Sequence, residues 1–232
     1  MTYKQLEEAI RIWAEDQEIV RALAVIGSRA RADHAADAWS DLDFIFFVTD
    51  LQEIAQDSSW LDTFGQVVLK VLQRTGAGDP EWLVLYGGGL KVDFVLAVAK
   101  RSFPEDLFGP RFGIVSRRGA RILVDKENAR PEQFSVEFAG QGKPESAEFE
   151  TALQLFWMTA HRAAAMIGRG DLWRARQIMD VALRRQLTQL LAWHAQARGG
   201  AGLDTWYDGR FMNDWVDPRA LAALPQLFTP SG

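Results

Sequence analysis

Two short apolar runs, residues 23–26 (LAVI) and 44–48 (FIFFV), stand on either side of a polar loop that opens with Gly27-Ser28-Arg29 and closes with Asp41-Leu42-Asp43. Bounded by turn residues and too short for helices, the runs read as strands. A Gly-Ser at a strand end lets backbone N–H groups approach an anion closely, because glycine has no Cβ and serine adds a hydroxyl donor. The ligand expected there is phosphate. Alternation along the next strand sends Asp41 and Asp43 to one face and turns Leu42 into the core. Two hard carboxylate ligands side by side suit Mg²⁺. Each motif is weak alone. Twelve residues between Ser28 and Asp41, with a strand on each side, make the pair informative.

Asp93 is the third acid of interest. It lies inside the apolar run KVDFVLA, residues 91–97, where a carboxylate is costly unless it is paired, metal-bound or catalytic. If that strand lies beside the Asp-x-Asp strand, Asp93 completes a three-carboxylate cluster. Arg29 follows the Gly-Ser turn directly, where a guanidinium can meet a triphosphate bidentately.

The rest of the chain falls into two parts. Residues 3–14 carry Leu6, Ile10 and Trp13 at helical spacing; Ser58-Ser59 precedes 60–64, which reads as an N-capped short helix stopped by Gly65. Strands are expected at 67–73, 82–86, 91–97 and 121–126, with a glycine hairpin at Gly87-Gly88-Gly89 and an irregular connection over 102–119. The polar stretch 127–145, with Pro131 and Pro144, marks a domain boundary. Beyond it no strand pattern survives. One helix is expected over 147–167, capped by Ser146, and a second over 171–197. In the second, Leu172, Met179, Leu183 and Leu187 form a core stripe. Trp173, Arg176, Asp180 and Arg184 share another face, where the residue pattern alone favours solvated ion pairs. The fold class is α+β: a mixed sheet flanked by helices over 1–135, then an α-helical bundle over 136–232.

Composition limits the function classes. With 232 residues, 48% of them hydrophobic and 25% charged, this is an ordinary globular composition. No cysteine is present, so disulfides, thiolate metal sites and cysteine nucleophiles are excluded. No secretory leader or 18-residue apolar stretch occurs, and the expectation is a cytoplasmic protein with no membrane partner. The net charge of −5 argues against nucleic acid as a partner and favours a cationic substrate. No repeat and no Gly-Lys-Ser/Thr phosphate loop is present.

The Gly-Ser turn, the spacing and the Asp-x-Asp match the G-S-x(9–13)-D-x-D pattern of the polymerase-β-like nucleotidyltransferases. GSRA, DLDFIFFVTD, SSWLDTFG, KVDFVLA, FWMTAHRAA and LWRARQIMDVALRRQL together resemble the aminoglycoside 6-adenylyltransferases that modify streptomycin, over most of the chain. Lincosamide nucleotidyltransferases are more distantly similar. Related enzymes carry a basic residue, usually lysine, and an acid at the positions matched by Arg176 and Asp180. Members of the family continue through further helices.

The resemblance implies an N-terminal nucleotidyltransferase domain, a helical substrate-binding domain, and transfer of AMP from ATP to an aminoglycoside hydroxyl. Asp41 and Asp43 would hold Mg²⁺, Gly27, Ser28 and Arg29 the phosphates, and Arg176 the triphosphate. Asp93 would serve as base and metal ligand. Asp180, with Trp173 as an aromatic wall, would meet the cationic acceptor in a cleft between the domains. A monomer or weak dimer is expected. Two other readings fit the same residues: adenylylation of a protein acceptor in a toxin–antitoxin-like pair, and a non-enzymatic nucleotide-binding module. Retention of all three acids argues against the last.

Overall fold

The computed structural model describes residues 1–31, 33–99, 103–109, 111–128, 142–200 and 202–228. The chain divides into two units, Met1–Glu137 and Phe138–Gly232. The polar stretch read as a boundary lies largely outside the described residues.

The first unit is built on six strands: β1 (Val20–Ile26), β2 (Leu42–Val48), β3 (Val67–Arg74), β4 (Pro80–Tyr86), β5 (Leu90–Val98) and β6 (Ala120–Asp125). They form one sheet in the order β3-β4-β5-β2-β1-β6. Every pairing is antiparallel except the central one, β2 with β5, which is parallel. Both faces of β2 and β5 are covered, so these strands read as nearly continuous apolar runs rather than alternating ones.

One face buries Leu23, Val25, Phe44, Phe46, Val92, Phe94 and Leu96. Helix α1 (Tyr3–Asp16) lies on it with Leu6, Ile10 and Ala14 buried at four-residue intervals, and a capping box between Thr2 and Gln5 satisfies its first N–H groups. Aromatic rings fasten this layer: Trp13 stacks on Trp60 at 5.1 Å, and Phe44 on Phe94 at 5.8 Å. Trp60 lies in a 3₁₀ segment, Ser59–Phe64, where the sequence suggested a capped helix; Ser58 makes no cap bond there, and the Asp57 carboxylate takes the Ser59 N–H instead. A short helix α2 (Leu51–Gln56), capped by Asp50, precedes it. The opposite face buries Ala22, Ala24, Ile45, Phe47, Val95 and Ala97. Period-two alternation puts Asp43 and Asp93 on this second face, at its end nearest the Gly-Ser turn. The stretch expected as a plain connection holds two short helices, α3 (Phe103–Phe108) and α4 (Gly113–Ser116).

The second unit is helical, with no strand among the described residues. Helix α5 (Ser146–Gly168) has Glu145, not Ser146, at its N-cap. The second long helix is not continuous: α6 (Leu172–Gln177), capped by Asp171, leads through a π-helical segment, Ile178–Leu183, into α7 (Arg184–Gly199). Short helices α8 (Met212–Trp215) and α9 (Pro218–Ala223) follow, the latter capped by Asp217 with proline at its first position. Two small cores hold the unit together, one around Ala163, Met166, Ala175 and Ile178, the other around Ala192, Ala195, Trp206 and Trp215. Among the described residues no helix is long and apolar enough to cross a membrane.

Candidate active site

At the end of β1 the chain makes a single 3₁₀ turn, Gly27–Arg29, and the N–H groups of Ala30 and Arg31 both donate to the Gly27 carbonyl at 3.1 Å. Gly27 has φ +72°, which L-residues avoid, and a Cβ at this position would collide with Oδ2 of Asp43. Glycine is required twice over, by backbone conformation and by the neighbouring carboxylate. Gly27→Ala is therefore expected to cost about 1–2 kcal/mol of stability from backbone strain alone, and to displace Asp43. A denaturation midpoint and turnover measured on the same preparation check this; an alanine variant with unchanged midpoint and full activity would contradict it. Ser28 is buried, and its Oγ has no hydrogen-bond partner among the described residues.

Parallel pairing of β2 with β5 sets Asp43 directly beside Asp93. Asp41 sits one residue before β2. Carboxylate oxygens of Asp41, Asp43 and Asp93 all lie within 4.8 Å of one another. The condition on which the three-acid cluster depended, adjacency of the two strands, is met.

Asp41 is held from two sides. Arg29 donates from Nε to the Asp41 carbonyl at 2.9 Å and from Nη2 to the Ser40 carbonyl at 2.7 Å, while its guanidinium lies 3.7 Å from the centroid of the Tyr3 ring. These contacts turn Arg29 back into the loop and give it a positioning part. On the other side Lys91 Nζ donates to Asp41 Oδ2 at 2.8 Å and to Asp93 Oδ2 at 2.6 Å. The Lys91 backbone N–H donates to the Tyr3 hydroxyl at 3.1 Å. Tyr3, on the first turn of α1, thus touches both cations. Sequence reasoning assigned nothing to Lys91 or Tyr3. The signal for Lys91 was its two-residue offset from Asp93, which puts both on one strand face; nothing local marked Tyr3.

Burial first, then the negative charges of Asp41 and Asp93, push the Asp43 carboxyl up to about 7. Burial also raises Asp93, although the Lys91 hydrogen bond works the other way. For Lys91, burial opposes the charge, but hydrogen bonds to Asp41 and Asp93 outweigh it and hold the ammonium protonated beyond the ordinary lysine range. Oδ1 of Asp93 is buried and has no hydrogen-bond partner among the described residues. Three crowded carboxylates, one with an orphaned oxygen, form a hard-oxygen donor set that fits a divalent cation such as Mg²⁺.

A family model described as streptomycin adenylyltransferase matches residues 1–232. The chain belongs to that family. It falls within the polymerase-β-like nucleotidyltransferases, as the Gly-Ser and Asp-x-Asp spacing suggested. The chain is 22% identical to an aminoglycoside 6-adenylyltransferase of Bacillus subtilis (strain 168), with 95% of this chain and 78% of that protein covered. It is 24% identical to one of Staphylococcus aureus, covering 100% and 83%, and 24% identical to one of Campylobacter jejuni, covering 92% and 74%.

In the second unit of this streptomycin adenylyltransferase family member, Asp180 lies on the π-helical segment, accepts from Arg176 Nε at 2.6 Å and forms an ion pair with Arg184 Nη2 at 2.9 Å. The ion-paired stripe read from the sequence is formed. These groups edge a cavity of about 210 Å³ floored by Phe156, Met179 and Leu183. Trp173 stands apart from them, 79% exposed. π-Helical turns inside α-helices often mark functional positions, and here the turn centres an acid between two arginines.

Proposed function

We propose that the protein transfers AMP from ATP to a hydroxyl of an aminoglycoside, streptomycin first among them. The observation that carries this reading is the meeting of Asp41, Asp43 and Asp93 beside the Gly27–Arg29 turn, in a chain of the streptomycin adenylyltransferase family.

Anion binding begins at the turn. The buried Ser28 hydroxyl offers a donor to the β- and γ-phosphates, joined by the Arg29 guanidinium. Mg²⁺ held by Asp41, Asp43 and Asp93 would supply charge neutralisation for the triphosphate and its leaving pyrophosphate. The Asp93 carboxylate takes the proton of the acceptor hydroxyl as its oxygen attacks the α-phosphorus; the new O–P bond forms while the bond from the α-phosphorus to the bridging oxygen breaks. Burial, which raises the proton affinity of Asp93, makes it a better base than an exposed aspartate. No covalent enzyme intermediate is required, and fixed charges around the phosphoryl oxygens account for most of the rate.

Asp180 and Trp173 are the proposed acceptor contacts, an anion and an aromatic face for guanidino or ammonium groups. Asp180→Ala should raise KM for streptomycin about tenfold with kcat little changed. An unchanged KM would return the Arg176–Asp180–Arg184 stripe to a solvated ion-pair network. The reaction itself is tested by incubating the protein with ATP, Mg²⁺ and a panel of aminoglycosides and reading product masses. Gain of one AMP by streptomycin supports the proposal. No product across the panel, with ATP bound, would refute the acceptor class and direct the search to a protein acceptor.

A further inference from the structure

Lys91 occupies one oxygen on each of two acids that would hold the metal. Its Nζ reaches Asp41 Oδ2 and Asp93 Oδ2 at once, at 2.8 and 2.6 Å, and its main chain is pinned by the Tyr3 hydroxyl. A Mg²⁺ ion held by the same carboxylates would lie close to an ammonium with which it shares the sign of its charge. The two cations repel, and each weakens the other's hold on the carboxylates. The Lys91 side chain is 45% exposed, so it has room to swing aside, whereas Asp93 is 14% exposed and fixed in the strand.

We propose that Lys91 is a tethered counter-cation that competes with the divalent metal for Asp41 and Asp93, and so couples metal binding to nucleotide binding. This inference rests on the metal-dependent reading of the site given above. In the free protein the ammonium neutralises part of the three-carboxylate cluster, and an entering metal must compete with two charge-assisted hydrogen bonds. A bound triphosphate changes the balance, because its oxygens give the displaced ammonium a new anionic partner while adding ligands for the metal. Metal and nucleotide then strengthen each other's binding, and the strengthening is reciprocal. The lysine works as a positioning residue for the metal rather than as a reacting group.

The test is titration of the free protein with Mn²⁺, followed by calorimetry, for the wild type, Lys91→Met and Lys91→Arg, each with and without a non-hydrolysable ATP analogue. Lys91→Met keeps the aliphatic stem and removes the charge. It should bind Mn²⁺ about tenfold more tightly than the wild type when nucleotide is absent. The tightening of Mn²⁺ by the analogue should be correspondingly smaller than in the wild type. Lys91→Arg, which keeps a cation at the site, should stay near the wild-type affinity. Equal or weaker Mn²⁺ binding by folded Lys91→Met would overturn the inference, as would an arginine variant that behaves like the methionine one. If Lys91→Met does not fold without metal, the wild type and Lys91→Arg decide the matter: for both, the analogue must tighten Mn²⁺ beyond its own chelation of the ion in buffer, and no such gain refutes the coupling. Failure of every form to bind Mn²⁺, with or without nucleotide, would instead remove the metal reading itself.

Discussion

Asp43→Asn is expected to abolish transfer and, in the absence of metal, to make the protein more stable. Asp43 is held against Asp41 and Asp93 in a partly buried cluster, and burial with like-charge repulsion pushes its carboxyl up to about 7. A carboxyl whose proton is held more tightly in the folded state than in the unfolded chain penalises folding once the unfolded form ionises. The penalty starts near pH 4, grows as pH rises, and is complete above about pH 7. Removing the charge should therefore stabilise the metal-free protein by about 2 kcal/mol at pH 8, discounted from the full shift because the three acids titrate together. At pH 4 the variant and the wild type should melt alike. Mg²⁺ should raise the melting temperature of the wild type and leave the variant nearly unmoved. Turnover should fall by at least about 10³-fold. A variant that melts lower than the wild type at pH 8 would mean that Asp43 is stabilised by its surroundings, and full activity would remove it from the metal site.

Asp93→Asn should separate chemistry from binding. The substitution removes the ionisable carboxylate proposed to receive the acceptor's proton, while the Gly27–Arg29 turn and its Ser28 hydroxyl are left in place. Turnover is expected to fall about 10²–10⁴-fold with the dissociation constant for ATP changed only slightly. Single-turnover kinetics with an equilibrium nucleotide titration check this. An equal loss in affinity and rate would make Asp93 a metal ligand whose basicity does not matter.

Much of the site was legible before the fold was known, because its information is local. Gly27-Ser28 and Asp41-Leu42-Asp43 lie within one strand–loop–strand unit, and a two-residue period fixes which side chains share a face. Asp93 was readable as an anomaly, a carboxylate inside an apolar strand. Its partnership with Asp43 was not, because the parallel pairing of β2 with β5 depends on a long crossover and on register. Lys91 shows the same limit. Its face was predictable, but the salt link to Asp41, 50 residues earlier in the chain, exists only after the strands pair.

The helical half was less legible. Arg176, Asp180 and Arg184 are spaced by four whether or not the helix is regular, so the π-helical segment left no trace in the spacing. Leu172, read as part of a core stripe, is 64% exposed because it opens the short helix α6 rather than sitting inside a long one. Glu145 caps α5 where Ser146 was the better side chain for it, since its extended backbone, and not a side-chain bond, sets the helix start.

The central claim is that the α-phosphorus of ATP is the atom transferred. Reactions run in parallel with ATP labelled at the α- or the γ-phosphate, with Mg²⁺ and streptomycin, test it directly. The α-label is expected to move to the aminoglycoside and the γ-label to leave in pyrophosphate. Appearance of the γ-label on the acceptor, or release of unlinked AMP with no labelled acceptor, would contradict it.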